Sequence, residues 1–164
     1  MRRGVLLLSI LVTALAVAPA ATADKPIREI TPAPDDRVIE DQCSFPVLGH
    51  IEGNEIVTTF TDRFGNPIRL LGVFPGNTLT LTNLDTEKSI TVGATGSFQL
   101  RANTDGTAAA MVTGQGVWLG HPVTGEPGIW FQSGRVSATL DADGNATSVN
   151  VTGKLVDLCP RLAS

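Results

Sequence analysis

The segment WFQSGRVSATLDADGNATSVNVTGKLVDL, residues 130–158, is close to a mirror image of itself about Asp143-Gly144, a dipeptide suited to tight hairpin turns. Folding there sets Val136 against Val151, Ala138 against Val149, Gly134 against Gly153 and Phe131 against Val156, and brings Ile129 to Leu158. Apolar residues oppose apolar residues throughout. Yet the apolar positions are even-numbered after Gly134 and odd-numbered before it, and the partner strand changes phase at Gly153. A pleated strand exchanges its faces only at a bulge or sharp bend, which glycine tolerates.

The preceding hairpin repeats the device. A turn centred on Thr124 sets Gly114 against Gly134, Val112 against Val136, Ala110 against Ala138, Val117 against Phe131, Leu119 against Ile129 and Trp118 against Trp130. A loop around Thr104-Asp105-Gly106 extends the face, pairing Leu100 with Ala110 and Phe98 with Val112. A row of glycines across neighbouring strands is a line along which a sheet coils sharply. The pattern therefore predicts an all-β fold: a single antiparallel meander of about eight strands forming a closed or nearly closed β-barrel, with a β-sandwich as the alternative.

From residue 43 onward no helical period is sustained. Runs rich in Thr, Val, Leu and Ile alternate with Gly/Asn/Asp clusters and predict strands at 50–61, 67–74, 77–83, 89–95, 97–104, 107–119, 128–141 and 146–159. In NTLTLTN, Leu79 and Leu81 face one way and the threonines the other. NLDTEKS then reads as a tight hairpin turn.

The N-terminus predicts export. Arg2 and Arg3 precede the apolar run GVLLLSILVTALAVA, and Ala21-Thr22-Ala23 offers the small residues of a cleavage site, so 1–23 is read as a signal peptide. The apolar run is short for a membrane span. Residues 24–42 are rich in proline and charge and read as a disordered leader. Residues 43–164 then form the β-domain.

The two cysteines of an exported chain, Cys43 and Cys159, are expected to form a disulfide, which would lay the first and last strands side by side. The formal net charge is −4, and losing Arg2 and Arg3 makes the remainder more acidic. With no cationic cluster along the sequence, nucleic acid and anionic membranes are poor partners.

Candidate chemistry is sparse. No serine sits in a G-x-S-x-G elbow and nothing in the order of the chain singles out a partner for either histidine, His50 or His121, so no catalytic residue is assigned. DADGNAT has oxygen side chains at Asp141, Asp143 and Asn145, but its glycine comes too early for a calcium loop, so turn chemistry takes the segment. GQGVWLG lies within a strand and opens no helix, so it cradles no phosphate. No metal or cofactor is predicted.

VWLGHPVTGEPGIWF stands out as a stiff loop framed by tryptophans. Trp118, His121, Glu126 and Trp130 are its candidate ligand or partner contacts, weighed against a simple cross-strand aromatic pair. The predicted cavity lining is Phe98, Leu100, Val112, Phe131, Val136 and Val151.

QCSFPV, LTNLDTEKSITV, the GHP loop and GKLVDLCPRLA together resemble a group of small secreted actinobacterial proteins without assigned function. The resemblance spans nearly all of 43–163. It implies export, a disulfide and one β-domain, and brings no active-site residue. Members more often carry Asp where His121 stands, which argues against acid–base chemistry there.

Three functional readings follow. The first is a secreted, non-catalytic domain that binds a small apolar ligand in a barrel cavity. The second is an extracellular protein-interaction or surface protein using the Trp-framed loop. The third is a barrel-cavity isomerase or cyclase, by analogy with allene oxide cyclase and dirigent proteins.

Overall fold

A computed structural model describes residues 25–32 and 36–163; the predicted signal peptide lies outside the described residues. The strands are β1 (Ile27–Pro32), β2 (Arg37–Ile39), β3 (Val47–Glu52), β4 (Asn54–Thr61), β5 (Pro67–Phe74), β6 (Thr78–Asn83), β7 (Ser89–Gly93), β8 (Gly96–Ala102), β9 (Ala108–Leu119), β10 (Ile129–Leu140) and β11 (Ala146–Asp157). A single helical turn, α1 (Cys159–Ala163), follows.

The fold is all-β and antiparallel, in two sheets. The large one has seven strands in the order β1-β4-β5-β8-β9-β10-β11; the small one has four in the order β2-β3-β6-β7. The large sheet ends in two free edges, β1 and β11, so the predicted closed barrel is not formed. The reason is an excursion. After β5 the chain leaves the large sheet to build β6 and β7 and returns as β8, which pairs with β5. A continuous meander survives only from β8 to β11.

Within that meander the predicted register holds. Gly134 faces Gly114 on one side and Gly153 on the other, Val136 faces Val112 and Val151, and Phe98 faces Val112. Gly96 extends the glycine row opposite Gly114. Gly114, Gly134 and Gly153 have φ of 98°, 143° and 111°. A Cβ on Gly134 would stand 2.2 Å from the Thr152 carbonyl oxygen, and one on Gly153 would stand 2.4 Å from that of Ser133. The crease thus needs glycine twice over, for backbone conformation and for close approach.

Beyond the crease, the lower halves of β9 to β11 share a core with the small sheet. Ile129 and Leu158 are fully buried in one cluster with Val47, Leu79, Leu81 and Leu162, and Val117 and Phe131 pack against it. Full burial of each such side chain contributes about 1.5–3 kcal/mol. On β6, Leu79 and Leu81 point inward as expected, while Thr80 and Thr82 bond Thr91 and Ser89 across the outer face.

The segment expected to be a disordered leader holds two strands. β1 lies along β4 and β2 along β3, with Ile39 entering the core. Every β1 residue is exposed, so this edge strand shows none of the apolar alternation that marks buried strands. The Cys43–Cys159 disulfide forms, with Cα atoms 5.5 Å apart. It ties the segment after β2 to the start of α1, and the first and last strands remain on opposite edges of the sheet.

Three hairpin loops of the large sheet are chemically alike. Asp62 to Asn66, Asn103 to Thr107 and Asp141 to Asn145 are each closed by a backbone hydrogen bond from the first residue's N–H to the last residue's carbonyl. Gly65, Gly106 and Gly144 have φ of 84°, 85° and 85°. The Asp62 carboxylate accepts from the Phe64 and Asn66 amides, Asp141 from Asp143 and Asn145, and Asp105 from Thr107. The Asn66 side chain and amide hold Asp62 below its ordinary 3.8; Thr107 does the same for Asp105, and the Asn145 amide for Asp141.

A depressed folded-state pKa stabilises the fold above the unfolded value, and that stability is lost as pH falls through the folded one. Thermal stability is therefore expected to drop below about pH 4, the unfolded range of these groups. Asp62→Asn combined with Asp141→Asn should flatten that acid limb in melting curves taken against pH. An unchanged limb would remove the loops from the account.

Candidate functional site

The site lies where the chain passes between the sheets. Besides the connection from β1 to β2, three such passages meet here: from β3 to β4 at Gly53, from β5 to β6 through Pro75, Gly76 and Asn77, and from β7 to β8 through Ala94 and Thr95. Asn77, only 3% exposed, ties the three passages together. Its Oδ1 accepts from the Asn54 amide at 3.2 Å, and its carbonyl accepts from the Ala94 amide at 2.8 Å and the Thr95 hydroxyl at 3.4 Å. Gly53 makes room, since a Cβ there would stand 2.2 Å from Asn77 Oδ1. The Thr95 carbonyl in turn accepts from the Gln115 amide just past the crease in β9.

This corner forms a half-open cavity of about 370 Å³. Its apolar wall is Ile51, Phe74, Phe98, Val112, Val117 and Trp118. The Phe98 ring folds back over Gly72, where a Cβ would stand 2.0 Å from Phe98 Cε1, and so comes beside Phe74 with ring centroids 6.1 Å apart. Glu55, Asn77, Ser97, Thr113 and Gln115 are its polar lining residues. Glu55 and Gln115 reach it, while Ser97 and Thr113 bond each other at 2.8 Å. Trp118 is fixed by its indole N–H, which donates to Gln132 Oε1 at 2.6 Å. Gln132 itself is 1% exposed, a buried amide with a partner, as burial requires.

Of the predicted lining, Phe98 and Val112 line the cavity and Leu100, Phe131, Val136 and Val151 do not. The crease separates Phe131 from the two that do. Phe131 lies below it and packs against the core shared with the small sheet. Leu100, Val136 and Val151 lie above it on the apolar face of the large sheet, where Val136 is 3% exposed.

The tryptophan pair also divides. Trp118 and Trp130 oppose each other in the ladder, but Trp118 serves the cavity. Trp130 meets the His121 ring edge to face at 4.6 Å. His121 Nδ1 accepts from the Val123 and Thr124 amides, and the Glu126 carboxylate accepts from the Thr124 hydroxyl. His121 and Glu126 are thereby spent on holding their own loop, and the structure brings neither to the cavity.

Asn77 and Gln132 were not singled out from sequence. The one available signal for Asn77 was Phe74-Pro75-Gly76-Asn77, which reads as a turn. The partners that make it a hub are 18 and 23 residues away. Comparison with protein-family models, curated proteins and solved structures gives no match.

Proposed function

We propose that this is a secreted, non-catalytic domain that binds a small apolar ligand in the cavity between its sheets. The observation that carries the reading is the cavity itself. Its volume of about 370 Å³ lies within the range of small-molecule sites, and its wall includes two phenylalanines and a tryptophan. The wall is held from behind: Gln132 fixes Trp118, Gly72 admits Phe98, and Asn77 pins the corner. A site built in advance in this way loses little side-chain freedom on binding. Glu55 and Gln115 can orient a ligand with one polar end, and Glu55 is the only ionisable side chain among the lining residues. The disulfide suits an oxidising compartment, and no helix among the described residues is long and apolar enough to cross a membrane.

Titration with the neutral fluorophore N-phenyl-1-naphthylamine tests the reading. Saturable binding is expected, with energy transfer from Trp118 to the probe. Ala94→Leu places three more carbons at the cavity wall and is expected to weaken binding at least tenfold. Unsaturable uptake, or equal affinity in the variant, would refute a ligand site at this corner.

A further inference from the structure

The large sheet has a second face, and its charge is segregated. Residues directly opposed in a β-ladder point to the same side of the sheet. Arg28 opposes Thr58, which opposes Leu71, which opposes Gln99. Arg69 opposes both Phe60 and Arg101. Arg135 opposes Thr113 and Thr152, and Thr113 opposes Ser97. Strand alternation puts all four arginines on the side away from Phe98, Val112 and Val136.

Among the described strand residues above the crease no carboxylate shares that side, while Asp62, Asp105, Asp141 and Asp143 lie in the hairpin loops at its end. The strand acids of this region, Glu29 and Glu55, belong to the phase of Val57 and point the other way. For a chain of net charge −4, this is a strong local reversal. The sequence conceals it, because the arginines lie on four different strands.

On β1, β4, β5 and β9 this side also carries Ile30, Ile56, Phe60, Leu71, Val73 and Met111, so its hydroxyl and amide part lies toward β10 and β11. On β10 and β11 it carries Ser137, Thr139, Ser148, Asn150 and Thr152, and the β11 members are exposed along a free edge. Arg28, Arg101 and Arg135 are exposed as well. Arg69 is held in place by Gln99, which accepts from it at 2.8 Å, and by the Phe60 ring 5.1 Å beneath its guanidinium.

Arg69 directly opposite Arg101 is a like-charge pair, which costs a sheet stability unless an anion lies between them. From β5 to β11 the face crosses four strand spacings, about 19 Å. Guanidinium forks match carboxylates in two-point geometry, and rows of neutral hydroxyls and amides match sugar hydroxyls. Above the crease, β10 and β11 offer on this side no apolar side chain to insert into a membrane and no aromatic to stack on a base.

We propose that this arginine-bearing polar face is a docking surface for a carboxylated polysaccharide, lying across β5 to β11 on the side opposite the apolar face. It is a site separate from the cavity and does not depend on a ligand there.

Binding of immobilised polygalacturonate by the full mature chain is the test, with neutral dextran, phosphatidylglycerol vesicles and duplex DNA as competitors. Binding should appear at low ionic strength and weaken steeply as salt rises. Arg101→Gln with Arg135→Gln should weaken it at least tenfold, with an unchanged melting temperature. Arg161→Gln, on α1 away from this face, should leave it unchanged. No binding at low salt overturns the proposal. So does equal loss in the Arg161 variant, or stronger capture by vesicles or DNA than by the polysaccharide.

Discussion

Alanine at Gly134 is expected to destabilise the protein by about 3–5 kcal/mol, enough to leave much of the chain unfolded near its growth temperature. Two costs add. The backbone there has φ of 143°, a conformation that residues with a Cβ rarely adopt. The new methyl would also meet backbone rather than a movable side chain, 2.2 Å from the Thr152 carbonyl and 2.9 Å from Gly153 Cα. Relief requires β10 and β11 to separate at the point where both bend. Gly144→Ala is the control. It too has a positive φ, 85°, but a Cβ there meets nothing within 4 Å, so its cost should stay near 1 kcal/mol. Urea denaturation of both variants checks the pair; similar losses would mean that close approach at the crease contributes nothing.

Removing the disulfide is expected to cost about 4–5 kcal/mol, because it closes a loop of 116 residues in the unfolded chain. Cys43→Ser with Cys159→Ser should lower the urea midpoint accordingly. The folded β-ladder should persist, since neither cysteine lies in a strand. The first regions to loosen should be α1 and β2. Leu162, whose carbonyl accepts from the Asn83 side chain, and Ile39 both enter the core from segments next to the bridge. Hydrogen exchange would show this as faster exchange around 36–46 and 158–163. A loss below about 1 kcal/mol would mean that the termini are held by packing alone.

Much of the C-terminal half was legible in the sequence, because its information is local. Mirror spacing about Asp143-Gly144 and about Thr124 sets the register, and phase changes at Gly114, Gly134 and Gly153 mark the bend. Other features depend on contacts that no short window contains. The detour of β6 and β7 opens the fold into two sheets, yet β5 and β8 read individually like members of one meander. β1 carries no pattern because it is an exposed edge. The predicted cavity lining failed for a related reason. The phase change was seen, but its consequence was not: residues above and below a crease line different spaces, so Phe131 does not share a wall with Phe98, while Val136, on the same side of the crease as Phe98, lies outside the pocket at the corner. The second tryptophan was placed correctly in the ladder and then turned away by a histidine from its own loop.

His50 adds a smaller pH effect at the other end of the range. Asp36 beside its ring, more than Glu52, raises its pKa above 6.5. The tie between β3 and the segment before β2 is therefore strongest below pH 6.5 and is lost as pH rises through the folded value.

The central claim is that the glycine crease folds the lower halves of β9 to β11 over the small sheet. Methyl–methyl NOE spectroscopy on the mature chain, labelled at Ile, Leu and Val, tests it most directly. The account predicts a connected network joining Ile129 and Leu158 to Val47, Leu79, Leu81 and Leu162. Separate networks, with Ile129 and Leu158 linked only to their own sheet, would contradict it.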